Sequence, residues 1–374
     1  MNCLHLCNDL MGSKVHENLY SHLAQESVKQ TLYYPLRKHA HSKVEAWESP
    51  LKRQMVFSGV LKEYHRIFFR QKIKFLFRDI QSKVSLTDFT LVHATTLFSD
   101  GALALKIFRK YRIPYIVAVR GTDINLFLKY RKDLNSLARE ILREAKQVVF
   151  ISESLRNNFF STPLIQKLEG ELKGKCRVIP NGLDAYWIEN ANPRKKQTPP
   201  TNILYIGKFN TNKNVLLLLQ AFLSLKENFP ELRINLVGKG GSQEPEIKKL
   251  AREHKESITF HGPIYDQEKL RQMFRENHIF AMVSKGETFG LVYVEALTQG
   301  LPIVFTQNQG IDGTFKEKVG EAADPRSKES IKKGLQAVVE NYPEYHTENL
   351  DFSRFSWPLI AKQYMDLYKD ATSK

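Results

Sequence analysis

Cysteine is scarce in this sequence, with three in 374 residues: Cys3, Cys7 and Cys176. So few cannot build a disulfide framework, and their spacing fits no zinc ribbon. They read as small buried hydrophobes in a chain kept in a reducing compartment. Long apolar runs are also missing. The longest uncharged apolar stretch, Val215 to Leu225, is far short of the ~20 residues needed to span a bilayer. The N-terminus has no basic region ahead of its apolar part and no small-residue cleavage site, so secretion is not expected and a cytoplasmic location is. Low-complexity tracts and short-period repeats are absent.

Positive charge is what the chain has in excess. The formal net charge is +16, and it is unevenly placed. Residues 1–196 carry 33 Lys+Arg against 18 Asp+Glu, whereas residues 197–374 carry 23 against 22. An anionic partner is therefore expected for the first half alone. Nucleic acid is not expected as that partner, because no zinc knuckle, RNA-recognition or helix-turn-helix signature accompanies the charge.

The stretch Asn192-Pro-Arg-Lys-Lys-Gln-Thr-Pro-Pro-Thr201 is polar, basic and marked by three prolines. Proline fixes φ and removes an N–H donor, so this run cannot continue a helix or sit inside a sheet. It divides the chain into residues 1–192, a linker 193–201, residues 202–352 and a terminal helix 353–374. Each half alternates short apolar runs with helical patterns. In the first half strands are expected near Cys3–Cys7, Thr90–Ala94, Tyr115–Val119, Val148–Ser152 and Arg177–Pro180. In the second they are expected near Ile203–Ile206, Arg233–Val237, Ile258–Phe260, Ile279–Val283 and Pro302–Phe305. Strand–helix alternation implies an α/β protein of two parallel sheets. A ligand is then expected beyond the carboxyl ends of the strands, between the two lobes.

Two segments carry chemistry. In Ser284-Lys-Gly-Glu-Thr-Phe-Gly-Leu-Val-Tyr-Val-Glu295 a strand runs into a loop and a helix opens near Gly290. Glycine there lets a ligand approach the backbone, and the amides of Phe289, Gly290 and Leu291 can donate to an anion. Glu287 lies in the loop, and Glu295 shares a helix face with Leu291, so two carboxylates bracket one anion site. In Tyr205-Ile-Gly-Lys-Phe-Asn-Thr-Asn-Lys-Asn214, Gly207 closes a strand, and Lys208 and Lys213 flank a polar loop. Two cations across such a loop suit a diphosphate. The cluster Val237-Gly-Lys-Gly-Gly241 is by itself only a turn signal.

With these segments in place the chain resembles the retaining glycosyltransferases with two Rossmann-like lobes, the GT-B type, in the large family 4 that includes sucrose synthase and bacterial mannosyl- and glucosyltransferases. The second half matches through Gly207-Lys208 with Lys213, Gly238-Lys-Gly240 and Glu287-Thr-Phe-Gly-Leu to Glu295-Ala. The first half matches through Gly12-Ser13, Val92-His-Ala94, Ile113-Pro-Tyr, Gly121-Thr-Asp123, Ile151-Ser152 and Ile179-Pro-Asn-Gly-Leu-Asp184. The tail, from Phe355-Ser-Trp-Pro through Tyr364 and Tyr368, resembles a helix that crosses back onto the first lobe.

The resemblance implies a GT-B architecture with an inter-lobe cleft. It implies a UDP- or GDP-type hexose donor in the second lobe and a sugar or lipid-linked glycan acceptor in the first. It implies retention of anomeric configuration in cell-surface polysaccharide synthesis, with no cofactor and no required metal; the chain contains no Asp-x-Asp motif. Glu287, Lys208 and Lys213 would be catalytic. Donor contacts would come from Gly12, Arg120, Asn181, Gly207, Gly238, Thr288, Phe289, Gly290, Leu291 and Glu295, the last on the ribose. A nucleotide-sugar epimerase or another two-lobed sugar enzyme is the alternative, and an anion- or nucleic-acid-binding protein is the remoter one. Three positions depart from the family's pattern. Lys208 stands where Arg is common, and Arg120 where His is common. Asn308-Gln-Gly-Ile-Asp-Gly313 replaces the usual Gly-Gly…Glu segment. Arg120 would bind an acidic sugar or an acceptor phosphate, or salt-bridge Asp123.

Lys62, Arg66, Arg70, Lys74 and Arg78 recur every four residues along an expected helix, with aromatic and aliphatic residues filling the rest of its circumference. Like charges at i, i+4 each cost an isolated helix about 0.2–0.5 kcal/mol. The stripe is either a solvated back to a core-facing helix or a surface that meets the inner face of an anionic membrane.

Overall fold

The computed structural model describes residues 1–12, 14–38, 49–193 and 199–373. The chain forms two compact units. The first comprises residues 1–151, 155–182 and 354–374, and the second residues 152–154 and 183–353. The units thus divide at Gly182/Leu183, ahead of the expected boundary at 192. The segment after Leu183 packs on the second unit: Trp187 is buried edge-on to Phe274, and the Asn192 amide donates to Thr298 O at 2.8 Å. Of the expected linker, residues 194–198 lie outside the described residues.

The first unit is built on seven parallel strands: β1 (Asn2–Leu6), β2 (Lys29–Tyr34), β3 (Met55–Phe57), β4 (Leu91–Ala94), β5 (Tyr115–Ala118), β6 (Gln147–Phe150) and β7 (Cys176–Val178). Their order is β3-β2-β1-β4-β5-β6-β7. The β4 and β5 strands are buried throughout and are apolar but for His93, the pattern of a parallel sheet covered on both faces. The helix Trp357–Thr372 belongs to this unit and buries Trp357, Ile360, Tyr364 and Tyr368 against it. Trp357 lies so near Gly182 that a Cβ there would fall 2.3 Å from its ring.

The second unit has six parallel strands: β8 (Asn202–Ile206), β9 (Arg233–Val237), β10 (Ile258–Gly262), β11 (Ile279–Ala281), β12 (Ile303–Thr306) and β13 (Gly320–Ala323), in the order β10-β9-β8-β11-β12-β13. The helix Val215–Lys226 buries Val215, Leu218, Leu219, Phe222 and Leu225, the face that its i, i+3, i+4, i+7 spacing marks. In each sheet the strand order reverses once, between β1 and β4 and between β8 and β11. At such a switch point neighbouring crossovers depart to opposite faces, which opens a crevice outside the carboxyl ends. The Lys208–Lys213 loop follows β8 and the Glu287 loop follows β11. The sheet topology therefore brings these two loops together.

Candidate active site

The loop after β8 is fixed by a close backbone approach. Gly238 has φ 147°, and a Cβ there would sit 1.9 Å from Gly207 O, so only glycine fits. The Tyr205 hydroxyl reaches past Gly207 to donate to Lys208 O at 2.8 Å, leaving the Lys208 side chain exposed. Lys213 closes a turn by donating its amide to Asn210 O and Oδ1, both at 3.0 Å. Asn214 follows in the left-handed region at φ 59°. Its buried amide donates to Val283 O at 3.1 Å and Pro325 O at 2.8 Å. Asn212 adds a bond to Gly286 O at 2.9 Å and accepts from Lys285 N at 2.7 Å. These contacts staple the lysine loop to the loop after β11.

The result is an ion pair. Lys213 Nζ lies 2.8 Å from Glu287 Oε2, with both side chains largely shielded from solvent. The same carboxylate accepts from Ser284 Oγ at 3.4 Å and from Thr288 N at 3.2 Å, and Gln309 Oε1 holds the Glu287 amide at 2.8 Å. Glu287 is thus aimed by four neighbours. The Thr288 amide is consumed by this network and is not available to a ligand. The helix Leu291–Thr298 begins just beyond, with Gly290 as its left-handed N-cap at φ 81°. The first amides of a helix have no intrahelical acceptor, and the dipole favours an anion there. The Tyr293 hydroxyl ties this first turn to Met282 O.

Glu295 lies one turn further along and is mostly buried; its carbonyl accepts from Thr298 Oγ1 at 2.7 Å, whereas its carboxylate has no hydrogen-bond or ion-pair partner among the described residues. Burial pushes its carboxyl up to about 7, and the nearby negative charge of Asp184 adds to the shift. A desolvated carboxyl without a donor is poised to accept hydroxyl groups from a ligand.

Gly12, Arg120 and Asn181 belong to the first unit. Gly12 ends the turn Leu10–Gly12 after β1, and Asn181 is half-buried beyond β7. Arg120 follows β5 and donates through Nε to Thr95 O at 3.1 Å. The expected alternative of an Arg120–Asp123 salt bridge is not formed. Asp123 spends its carboxylate on three backbone amides instead, those of Leu97 at 3.1 Å, Phe98 at 3.2 Å and Arg120 at 2.9 Å. Burial holds His16 down to about 3, with the Arg120 charge adding to the effect. His93 donates or accepts through Nδ1 to the Tyr368 hydroxyl at 2.8 Å, deep in the unit.

Sequence reading missed Asn214, Gln309 and Asp123 as organisers of these loops. A non-glycine left-handed residue such as Asn214 has one weak signal, the preference of Asn for αL.

The basic stripe does not lie on one helix. Glu63–Arg66 forms a 3-10 turn, the chain breaks at Ile67 and Phe68, and the α-helix spans Phe69–Lys83. His65 Nδ1 accepts from Lys62 N at 3.0 Å and closes the turn, and Phe68 at ψ 75° is outside the helical region. Arg70, Lys74 and Arg78 share a helix face, whereas Lys62 and Arg66 stand on a separate turn. All five are exposed, and with them Tyr64, Ile67 and Phe68 at 44%, 70% and 53%. Three large apolar side chains therefore stand at the surface beside the basic residues. Among the described residues no helix is long and apolar enough to cross a membrane.

Comparison with known proteins agrees with this geometry. The family described as "Glycosyltransferase Family 4" matches residues 13–186, and the family described as "Glycosyl transferases group 1" matches residues 188–349. The chain belongs to the family 4-type GT-B glycosyltransferases. This glycosyltransferase is 25% identical over 286 residues to an uncharacterised glycosyltransferase of Methanocaldococcus jannaschii, a match covering 70% of each chain. The matches to the first curated relatives span between 60% and 70% of their own lengths. In fold it is similar to the sucrose-phosphate synthase of Thermosynechococcus elongatus, with TM-score 0.73 and 17% identity over 99% of this chain and 98% of that one. It is also similar to HepE of Anabaena in complex with UDP, with TM-score 0.72 and 15% identity over 99% of this chain and 100% of that one.

Proposed function

We propose that this glycosyltransferase moves a hexose-type sugar from a UDP- or GDP-type donor to a sugar or lipid-linked glycan acceptor. The anomeric configuration is retained, no metal is required, and the product belongs to cell-surface polysaccharide synthesis. The observation that carries the reading is the Lys213–Glu287 pair at 2.8 Å, set between Lys208 and a helix N-terminus at the switch point of the second sheet. HepE, of similar fold, is a UDP complex, which supports a nucleoside diphosphate as the ligand of this chain.

Cleavage of the bond between the anomeric carbon and the diphosphate leaves negative charge on the leaving oxygen. Lys208 and Lys213 meet that charge, and cations fixed before the reaction do so without reorganisation. Glu287, held by Ser284, Thr288 and Lys213, accepts hydroxyl protons of the sugar beside the reacting carbon and keeps the ring in one orientation. Glu295 accepts the ribose hydroxyls. Lys208 in place of Arg makes the diphosphate contact a point charge rather than a fork.

The test is release of nucleoside diphosphate from a panel of UDP- and GDP-hexoses, with the product anomer read by proton NMR. Turnover of one α-linked donor to an α-linked product is expected. A β-linked product would overturn retention, and no turnover of any donor by folded protein would overturn the reading.

A further inference from the structure

The apolar run of β6 ends in Ile151-Ser-Glu-Ser154, and both serines are buried, at 2% and 5% exposure. Residues 152–154 belong to the second unit, although the chain on either side of them belongs to the first. Ser154 Oγ donates to Gly310 O at 2.9 Å. Ser152 Oγ lies 3.0 Å from Ser154 Oγ and 3.3 Å from Thr288 O, so its single proton is shared between a hydroxyl and a carbonyl. A buried carbonyl needs a donor. Here the donors stand 136 and 156 residues back along the chain from the carbonyls they meet.

The two carbonyls flank Glu287. Thr288 donates its amide to Glu287 Oε1 at 3.2 Å, and Gln309, the residue before Gly310, accepts from the Glu287 amide at 2.8 Å. Gly310 packs on the Glu287 side chain itself. It has φ 58°, and a Cβ there would lie 2.9 Å from Glu287 Cγ and from Phe289 O. The loop after β12 is bonded to itself, because the amides of Gln309, Asp312 and Thr314 donate to the carbonyls of Thr306, Gln309 and Ile311 at 3.3, 3.1 and 2.9 Å. Gln309 Nε2 adds a bond to Lys285 O at 3.2 Å. A loop closed in this way shifts as one piece, so a displacement of Gly310 reaches Gln309 and Glu287 together.

We propose that Ser154, backed by Ser152, is a positioning residue for the transfer reaction: it clasps the loop after β12 against Glu287 and so fixes the carboxylate that orients the sugar. The proposal rests on the reading of Glu287 as the group beside the reacting carbon. Ser154 touches no ligand in it and acts only through Gly310. A single hydroxyl can matter to the rate because a displacement of about 1 Å at a reacting centre costs about 10²-fold.

The experiment is a double-mutant cycle with Ser154→Ala, Glu287→Ala and both together. It is read as release of nucleoside diphosphate from the UDP- or GDP-hexose that wild type turns over. Amide hydrogen exchange of the same proteins without ligand is followed by mass spectrometry. Ser154→Ala is expected to lower kcat about tenfold while the Kd for UDP changes by less than about twofold. The lysine loop that meets the diphosphate is held by Asn210 and Asn214, not by Gly310. In the Glu287→Ala background the same substitution should change kcat by less than about twofold, since residues that act through one group are not additive. Exchange across residues 285–290 should rise about tenfold in Ser154→Ala and stay at wild-type values in β8 and β9. Ser154→Cys keeps a weak donor; it should fall between the two, and it carries the test if Ser154→Ala does not fold. A serine that only stabilised the unit would lower kcat equally in both backgrounds and raise exchange throughout. Either result overturns the proposal, and so does wild-type kcat in Ser154→Ala. Full turnover in Glu287→Ala overturns the role of Glu287 and the proposal with it. No turnover by wild type, with exchange still raised across 285–290 in Ser154→Ala, overturns the donor reading and leaves the clasp on Glu287 standing.

Discussion

Glu287 is the residue on which the proposed chemistry turns, because Ser284 and Thr288 aim its carboxylate and Lys213 balances its charge. Glu287→Ala should lower kcat by about 10²–10³, the range seen when a fixed electrostatic contact is removed, with the unfolding midpoint little changed. Wild-type turnover in that variant would remove Glu287 from the reaction. Glu295 carries a pH signature. Its carboxyl titrates near 7 in the folded protein and near 4.5 when unfolded, so the native state holds the extra proton between those values. Stability contributed by this group therefore falls as pH rises from about 4.5 through 7. A ribose that accepts no proton but donates two hydroxyls prefers the ionised form. Binding of uridine, which has no phosphate to titrate, should tighten as pH rises through 7 and release a proton, and Glu295→Gln should flatten the profile; calorimetry in buffers of different ionisation heat reads both. At this scale the placement of Lys208, Lys213 and Glu287 in loops that follow strands was legible in the sequence. Gln309 and Asn214 were not, because each acts through a backbone group far along the chain.

At the scale of elements, the close approach of Gly238 to Gly207 is a direct consequence of two strands ending side by side. Gly238→Ala should destabilise the second unit by about 2–4 kcal/mol, combining steric overlap with a strained φ, and should weaken nucleotide binding because the Lys208 loop must move; urea unfolding and titration measure the two. The turn Glu63–Arg66 and the exposed Ile67 and Phe68 place apolar groups between Lys62, Arg66 and Arg70. We infer peripheral contact with an anionic membrane through this edge. Lys62→Glu/Arg66→Glu/Arg70→Glu should abolish sedimentation with anionic liposomes, each cation contributing about 1 kcal/mol near such a surface, and unchanged sedimentation would contradict it. The four-residue spacing of the basic residues suggested one helix, and the break at Phe68 is a local conformation that charge spacing does not report. The strands β2, β3 and β13 were also absent from the sequence reading. Gly320–Ala323 is four residues without a β-branched or aromatic side chain at the sheet edge, and Met55–Phe57 is a three-residue edge strand. Such short edges are held by pairing with a neighbour rather than by their own pattern. The buried central strands β4, β5, β8, β9 and β12 were legible because both of their faces are covered.

For the molecule as a whole, the uneven charge and the two reversed strand orders divide the labour. In the proposed reaction the second unit supplies, at its switch point, the pair of lysines that meets the diphosphate. The family 4 membership, the α/β class and the two parallel sheets were legible in the sequence, since alternation and motif order survive where identity does not. The unit boundary at Gly182 was less so, because Trp187 and Asn192 commit their segment to the second unit through contacts that proline content does not reveal. The account's central claim is that Lys208, Lys213 and Glu287 form the diphosphate end of a nucleotide-sugar site, and thermal unfolding against UDP, GDP and ADP tests it most directly. A ligand at a hundredfold its Kd stabilises the native state by about 2.7 kcal/mol, which at about 2–4 °C per kcal/mol raises the midpoint of a unit of this size by about 5–11 °C. The account predicts such a rise with UDP or GDP, lost in Lys208→Ala/Lys213→Gln. A folded protein whose midpoint no nucleoside diphosphate moves, or whose shift survives loss of both lysines, would contradict it.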